Sequence, residues 1–272
     1  MKIINLVENT PGYPGCKYEH GLSFYVETNQ HKILIDAGTT DAFIYNAEML
    51  GIDLKKVDMV IISHGHYDHT GGLMKFAGIN KDARIYMQKT AGADYYHVDD
   101  KEERYIGIDK SILALPQLCL VDGNLVIDKE VSVFSYISGR KYWPSGNYSL
   151  KVKTEKGYIQ DEFMHEQCLV INENDKRTLI SGCAHNGIIN ILERYQGLYE
   201  DMPVAVISGF HMMKGSAYTE EEIAVIRSTA EELTKWDTVF YSGHCTSIPA
   251  FDIMKEIMGD KLIAIHSGNT IM

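Results

Sequence analysis

The sequence predicts an α/β (α+β) protein with one domain over residues 1–272, and the order of its elements fits a four-layer αββα sandwich. Two observations indicate this class. In each half of the chain, short apolar strands precede segments whose apolar residues recur at helical spacing. One strand, over residues 57–62, is almost entirely apolar, as expected for a strand buried on both faces. Two such halves can bury their apolar surfaces as two packed sheets with helices outside them.

The composition limits the classes of partner and compartment. The formal net charge is −11, from 26 basic and 37 acidic residues, which argues against a nucleic-acid partner. The five cysteines are an odd number and widely spaced, which favours a reducing compartment. The N-terminal apolar run is too short for a signal-peptide core, and no segment has the apolar length of a membrane span. We therefore expect a soluble cytoplasmic protein with no membrane partner.

The first half begins with predicted strands at residues 3–7, 22–27 and 32–36. A turn rich in proline and glycine separates the first two. A helix is predicted next, because Asp41 is a candidate N-cap, apolar residues recur through Leu50, and Gly51 can end the helix. This helix leads into the apolar strand over residues 57–62.

The segment over residues 79–160 has the weakest pattern, and we predict that it is a variable insertion covering the functional site. Short strand-like runs alternate there with stretches that mix aromatic and charged residues. Several tyrosines and Trp143 cluster in this segment. They could form an aromatic face for a flat substrate or a packing layer over a sheet.

Clear periodicity returns in the second half. A hairpin is predicted from strands at 168–171 and 178–180, followed by a helix that begins near Asn186 and ends at Gly197. Thr219 and Glu222 have the spacing of a capping box at the start of the next helix. The remaining predicted elements are strands at 203–208 and 238–242, a helix at 249–258 and a final strand at 262–268.

A histidine-rich motif follows the apolar strand. His64, His66, Asp68 and His69 lie in a loop that Gly65, Gly71 and Gly72 allow to turn tightly. Imidazole nitrogen and carboxylate oxygen are donors that bind divalent ions such as zinc, iron or manganese. The spacing predicts a metal site, and the alternative is a solvated surface loop that happens to be rich in histidine.

These motifs resemble those of the metallo-β-lactamase superfamily. The string SHGHYDH, preceded by an apolar strand and by LIDAG, carries the resemblance. Four further strings resemble the branch that includes the archaeal dihydropterin synthase-like proteins, namely HEQCLVI, SGCAHNGIINIL, SGFHM and SGHCT. The resemblance implies the αββα sandwich, with metal ions held along one edge between the sheets.

The resemblance also implies roles for residues outside the motif. Asp36 would support the metal loop through hydrogen bonds, His165 would be the third histidine of the first metal site, and His244 would be the last ligand. The sequence departs from the superfamily after Gly182, where the usual bridging aspartate is absent.

Three residues are candidates for the role of that aspartate. We expect His185 in its place, with Cys183 as a thiolate the second choice and Glu166 a fallback ligand. His20, at the end of a turn, and His211, at the end of a strand, are weaker candidates for lining the site.

The resulting hypothesis is a binuclear site. One ion would bind His64, His66 and His165, and a second would bind Asp68, His69 and His244, with His185 close to one or both. Zinc is the preferred metal, with iron or manganese as alternatives. Asp68 would also orient a nucleophilic water, so Asp68 and His185 are the predicted catalytic residues.

Three functions are compatible with such a site. The first is metal-dependent hydrolysis of a small phosphorylated or ester-like molecule. The second, suggested by the branch, is a transferase that uses a dihydropterin diphosphate and therefore binds a pterin-like substrate. The third is a sensor that binds metal and ligand without turnover, which the missing aspartate keeps open. The sequence does not specify an oligomeric state.

Overall fold

The computed structural model describes residues 1–272 and contains two large sheets packed face to face. Strands are numbered along the chain. The first sheet has six strands, in the spatial order β1 (Lys2–Val7), β2 (Ser23–Glu27), β3 (Lys32–Ile35), β4 (Met59–Ile61), β5 (Arg84–Gln88) and β8 (Leu118–Val121). Strands β3, β4, β5 and β8 are parallel, so their carboxyl ends share one edge.

The second sheet has seven strands. Their spatial order is β17 (Leu262–Ala264), β16 (Val239–Ser242), β15 (Ala205–Ile207), β14 (Lys176–Ile180), β13 (Cys168–Glu173), β10 (Val131–Phe134) and β9 (Leu125–Val126). Strands β14 to β17 are parallel, whereas β13 and β14 form the predicted antiparallel hairpin. The carboxyl ends of the parallel strands again share one edge.

Helices cover the outer face of each sheet. The helices are α1 (Ala42–Met49), the short α2 (Tyr67–Thr70), α3 (Leu73–Ile79), α4 (Ile188–Tyr199), α5 (Glu220–Thr234) and α6 (Ile248–Met258). Six 3₁₀ turns occur at Leu54–Lys56, Lys89–Gly92, Lys110–Ala114, Ser145–Ser149, His244–Thr246 and Gly259–Lys261. None of the helices has the length and apolarity that a membrane span requires.

Three buried apolar layers define the sandwich. Phe43 and Phe76 of the first helices pack against the first sheet. Ile33 and Leu169 belong to the layer between the two sheets. Leu192 and Phe240 belong to the layer between the second sheet and its helices. The predicted αββα sandwich is therefore confirmed, and burial of apolar surface in three layers is its main source of stability.

A third, smaller sheet lies within the segment that the sequence predicts to be an insertion over 79–160. Its spatial order is β12 (Gly157–Gln160), β11 (Leu150–Thr154), β6 (Tyr95–Val98) and β7 (Glu103–Tyr105). The segment is not one insertion, however, because β5 and β8 belong to the first large sheet, while β9 and β10 belong to the second. Within this segment, only the four-stranded sheet and its connections stand outside the two large sheets.

Two helix ends differ from the sequence-based expectation, and one agrees. Asp41 precedes α1 but makes no side-chain cap, and the N–H of Ala42 donates to Thr40 Oγ1. Helix α4 continues past Gly197 to Tyr199. Glycine lowers the stability of a helix interior but does not end this helix, and no atom lies near the position that a side chain would take. The capping box of Thr219 and Glu222 is present at α5.

Candidate metal centre

The histidine motif lies between the two large sheets, at the edge where their parallel strands end. It directly follows β4, and its first histidine packs against the residues that follow β14. Gly65 is required for this packing, since a Cβ atom there would lie 2.4 Å from the carbonyl oxygen of Ala91. Gly182 is required on the opposite side, since a Cβ atom would lie 2.2 Å from Ser63 Oγ.

Five histidine rings pack against one another at this edge. The ring centroids of His64 and His66 are 4.6 Å apart, and those of His64 and His69 are 4.1 Å apart. His185 joins them from β14, with its ring 4.8 Å from both His64 and His66. His244, after β16, lies 5.0 Å from His69. The fold therefore brings His185 and His244, which are distant in sequence, into contact with the histidine motif.

The Nδ1 atoms of four of these rings are held by oxygen atoms of the protein. The pairs are His64 with Ser63 Oγ at 2.9 Å, His69 with Asp36 Oδ2 at 2.6 Å, His185 with Asn147 Oδ1 at 3.0 Å, and His244 with Asn9 Oδ1 at 2.9 Å. The amide and carboxylate oxygens accept these bonds. Ser63 Oγ donates to Asp36 Oδ2, so it too accepts from its histidine. Each neutral ring therefore carries its proton on Nδ1 and a lone pair on Nε2.

These lone pairs face a shared space that suits a cation. Nε2 of His64 lies only 3.2 Å from Nε2 of His185, and two lone pairs at that separation repel unless a proton or metal ion lies between them. Nε2 of His66 and Nε2 of His244 are buried without a hydrogen-bond partner. Asp68 Oδ2 is 3.3 Å from His244 Nε2 and 3.6 Å from His69 Nε2. Buried nitrogen and oxygen atoms with free lone pairs are the atoms that bind a metal ion, so this arrangement fits a metal centre.

Cys183 lies between two pairs of histidines, His64 with His185 and His69 with His244. Its sulfur is within ligand-sharing distance of His64 and His185 on one side, and of His69 and His244 on the other. Its closest contact is with His69 Nε2, at 3.2 Å. Burial raises the pKa of the Cys183 thiol well above its usual value. The position after Gly182 is therefore occupied by a sulfur atom that faces both groups, while His185 extends toward one of them.

His165 is brought to the motif, but its hydrogen bonds favour a supporting role over the predicted ligand role. Its Nδ1 accepts a hydrogen bond from the backbone N–H of Gly65, at 2.9 Å. Its Nε2 lies 3.0 Å from Asp161 Oδ2 and must carry the proton of that hydrogen bond. Neither nitrogen has a lone pair left for an ion in this arrangement, although the His165 and Asp161 donor atoms lie close to His66.

Glu166, the fallback ligand, points away from the histidines. It is fully buried and accepts hydrogen bonds from the backbone N–H groups of His185 and Asn186, at 2.6 and 2.9 Å. Burial raises the pKa of Glu166 despite these bonds. Its carboxylate shapes the turn that presents His185 and is not free to bind an ion.

Burial and mutual repulsion determine the charges of the centre. Burial lowers the pKa values of His64, His66 and His185 well below the usual value, and the neighbouring histidines lower them further. Burial also disfavours a charged His69, but Asp36 and Asp68 outweigh it and raise the pKa of His69 to about 9. For Asp68, burial is outweighed by His69 and His244, which hold its pKa well below the usual range. In the absence of an ion, three neutral imidazoles and a protonated His69 thus lie around one ionised carboxylate.

The centre opens into a cavity of about 590 Å³. His20 and His211 both line it, as do His66, Asp68, His185 and Cys245. His20 Nε2 is 3.4 Å from Asp68 Oδ2, and the His211 ring lies 4.0 Å from that of His185. The backbones of His211 and His244 have φ values of 49° and 50°, a strained conformation that functional sites often retain. Both weaker candidates therefore belong to the cavity wall.

The sequence alone did not identify several residues of the centre. Asn9 and Asn147 orient His244 and His185, and Asp161 orients His165. None lies within a recognisable motif, because each reaches its histidine through the fold. Cys245 could have been identified from the sequence, since it directly follows His244. Its sulfur lies close to the sulfur of Cys183 and to the ring of His211.

Comparison with known proteins gives a consistent picture. The family model of the metallo-β-lactamase superfamily matches residues 18–157. An uncharacterized protein of Methanocaldococcus jannaschii is 33% identical over 76% of this chain and 78% of its own length. The 7,8-dihydropterin-6-methyl-4-(β-D-ribofuranosyl)-aminobenzene-5′-phosphate synthase of the same organism is 28% identical over 100% of this chain and 96% of its own length.

Solved structures share the whole architecture. The crystal structure of Tm1679, a metal-dependent hydrolase of the β-lactamase superfamily, is 31% identical with a TM-score of 0.83, and the match covers 100% of this chain and 98% of that one. Zn²⁺-bound PqqB from Methylobacterium extorquens is 12% identical with a TM-score of 0.57, and the match covers 100% of both chains. The second likeness concerns the fold alone.

Proposed function

Because the chain belongs to the metallo-β-lactamase superfamily, we propose that it is a metal-dependent hydrolase acting on a small phosphorylated or ester-like molecule. The observation that carries the proposal is the set of imidazole lone pairs that face one another in a buried space, above all the 3.2 Å between Nε2 of His64 and Nε2 of His185. In the tautomers that the Nδ1 partners favour, the two lone pairs repel unless a proton or metal ion lies between them. The likeness to Tm1679 supports hydrolysis as the reaction class.

The donor atoms divide into two groups, which supports a site for two ions. His64, His66 and His185 form the first group. Asp68, His69 and His244 form the second. Cys183 lies where it could serve both, in the role that the missing aspartate would have filled. A thiolate among imidazole ligands favours zinc over manganese, which prefers oxygen ligands.

The chemistry follows from the donor groups and the cavity. When bound, such ions lower the pKa of water and polarise a carbonyl or phosphoryl oxygen. Asp68 is ionised and turns one oxygen toward the imidazoles of His20, His69 and His244. It can therefore accept a hydrogen bond from a water molecule bound at the second ion and orient that water. The cavity wall positions the substrate over that water.

The protein's own hydrogen bonds keep this machinery in place. Asn147 and Asn9 hold the rings of His185 and His244 in the tautomer that leaves Nε2 free, and Asp36 holds Nδ1 of His69, so that Nε2 is the nitrogen that an ion would deprotonate. This orientation is set before any ligand binds. Pre-orientation of this kind lowers the cost of assembling a reactive site.

Metal analysis and a substrate panel test the proposal. The purified protein should contain two equivalents of divalent metal, and the His66→Ala, His185→Ala double variant should lose at least one. The metal-loaded protein should hydrolyse a phosphodiester, lactone or thioester of the panel. His31→Ala is the matched control, since His31 precedes β3 at the opposite end of the strands and binds Asp58 and Asp128 instead. Equal metal content in the double variant and the control would contradict the proposal, and tight ligand binding without turnover would indicate a sensor.

A second candidate function rests on one relative. The chain is similar over its full length to a synthase named for a dihydropterin product, so we propose, as the alternative, a transferase that joins a pterin diphosphate to an aromatic amine. Pyrophosphate release that requires both co-substrates would support the transferase. Pyrophosphate or alcohol release from a single substrate plus water would support the hydrolase.

A further inference from the structure

The four-stranded sheet presents one of its faces to the metal centre. Side chains of a strand alternate between faces, so residues two apart share a face. Tyr95 and Ile106 are buried against Leu150 and Phe163, near the histidine motif. Tyr96 and Tyr105, the sequence neighbours of Tyr95 and Ile106, lie on the opposite face, where Tyr96 also packs against Tyr158. The same alternation places His97 and Arg104 on the face that looks into the cavity.

Leu150, His97 and Arg104 form one row across three strands of this sheet. Leu150 of β11 is opposite His97 of β6, and His97 is opposite Arg104 of β7. Residues opposite each other on one face of an antiparallel pair have adjacent side chains. All three line the cavity of about 590 Å³. The row therefore places two nitrogen-bearing side chains next to each other on the cavity wall.

The hydrogen-bonding capacity of this pair is largely unused. Arg104 has five donors, yet its polar contacts are long, at 3.3 Å to the hydroxyl of Tyr67 and 3.5 Å to Glu102 Oε1. Nδ1 of His97 is buried and forms no hydrogen bond, although Glu102 Oε1 is also 3.5 Å away. Glu102 Oε1 thus lies at the outer limit of hydrogen-bond distance from both Arg104 and His97. The Glu102 side chain is half exposed and can move aside.

The other charged groups of the cavity are already satisfied. Lys214 binds both carboxylate oxygens of Glu222, at 2.8 and 2.6 Å. Asp99 accepts hydrogen bonds from the backbone N–H groups of Lys101 and Glu102, at 2.8 and 2.9 Å. Arg104 is therefore the cation of the cavity with donors to spare.

We propose that His97 and Arg104 form a subsite for a carboxylate or phosphate group of the substrate, in the same cavity as the candidate metal centre but outside its groups of donor atoms. The incoming anion takes the position next to both side chains that Glu102 Oε1 now occupies loosely. A guanidinium binds such groups with two parallel hydrogen bonds. The inference deepens the proposed function, on which it rests, because it names the substrate class as a molecule with an anionic group remote from the reacting one.

Binding of simple carboxylates tests the subsite without requiring turnover. In the metal-loaded protein, a monocarboxylate uses the metal centre alone, whereas an α,ω-dicarboxylate of suitable length reaches the subsite with its second group. Calorimetry on dicarboxylates from succinate to suberate, each beside the monocarboxylate of equal chain length, gives a ratio of the two Kd values. We expect one chain length to bind about tenfold tighter as the dicarboxylate, which corresponds to one good ionic hydrogen-bonded pair.

Three variants make the test specific. Arg104→Gln should reduce that ratio to about one, and Glu102→Gln should increase it, because a competing carboxylate is removed. Arg140→Gln is the matched control. Like Arg104, it is partly exposed, stacks on an aromatic ring and faces a carboxylate, but it does not line the cavity. Its ratio should match the unmodified protein.

The outcomes separate this inference from the proposed function. A ratio near one at every chain length, or a ratio unchanged by Arg104→Gln, would overturn the subsite while the metal content and hydrolysis of neutral esters stay as proposed. A protein that gains no metal would contradict the proposed function itself. A ratio that falls in Arg104→Gln and rises in Glu102→Gln would establish the subsite even where no panel substrate is hydrolysed.

Discussion

Nδ1 of His69 lies 2.6 Å from Oδ2 of Asp36, and both side chains are fully buried. The same carboxylate accepts hydrogen bonds from the backbone N–H and the hydroxyl of Ser63, both at 2.7 Å. Asp36 therefore joins the first and last residues of the histidine loop. Its backbone has a φ of 55°, a conformation that aspartate and asparagine tolerate better than most residues. A single side chain after β3 thus maintains the geometry of the histidine loop.

Asp36→Asn should weaken metal binding. Asparagine keeps the shape and the unusual backbone conformation, but its amide lacks the negative charge and can accept fewer of the three hydrogen bonds. We expect metal affinity to fall about 10- to 100-fold, as for other partners of metal-binding histidines. Competition with a chelator of known affinity measures the change. Asp58→Asn, at the far end of β4, is the control, and an unchanged affinity for Asp36→Asn would refute the role of Asp36.

Cys183→Ser should remove a sulfur–metal bond. When cobalt(II) replaces the native metal, a thiolate ligand produces an intense charge-transfer absorption in the near ultraviolet, and we expect this band in the unmodified protein and its loss in the variant. Cys119→Ser should keep the band, since Cys119 lies on β8, outside the groups of donor atoms. If the unmodified protein bound cobalt without the band, histidines and Asp68 alone would hold the ions.

His165→Ala distinguishes a supporting residue from a ligand. The variant leaves the buried Oδ2 of Asp161 and the Gly65 N–H without a partner and creates a cavity, so we expect a loss of about 3 kcal/mol in the free energy of unfolding. Metal content at saturation should stay at that of the unmodified protein. His185→Ala should instead lose metal. A missing equivalent of metal in His165→Ala would restore the ligand role that the sequence suggested.

Glu222→Gln should lower stability in a pH-dependent way. Its hydrogen bond with Lys214 and the backbone bond from Thr219 lower the pKa of Glu222 to about 2, from an ordinary value of 4.5. The folded state therefore favours the charged form, so the stabilisation is present above pH 4.5 and is lost as the pH falls toward 2. We expect a cost of about 1 kcal/mol at pH 7, typical of a lost helix cap.

Urea unfolding at several pH values measures this effect. Glu221→Gln is the control, since Glu221 lies in the same first turn of α5 and shares its helix dipole but takes no part in the capping box. The difference between the two variants should shrink as the pH falls below 4.5. A difference that is independent of pH would mean that the charge of Glu222 does not stabilise the fold.

The local motifs were readable from the sequence because they depend on short-range chemistry. The apolar strand before His64 and the capping box at Thr219 each reflect contacts within a few residues, and both occur where predicted. The αββα architecture followed from the resemblance and from the order of strands and helices. The weakly patterned segment was harder, because strands such as β5 and β10 join large sheets whose other members are far away in sequence.

The sequence by itself determined the fold class and the histidine motif of the candidate metal site. The tertiary structure decided how the remaining histidines relate to it. The sequence suggested metal-binding roles for both His165 and His185. The structure separates them, because Gly65 and Asp161 occupy both nitrogens of the His165 ring whereas Asn147 occupies only Nδ1 of the His185 ring. The physical reason is that a ligand needs a free lone pair aimed at the ion, and the hydrogen bonds that set this direction come from residues that only the packing of the sheets brings together.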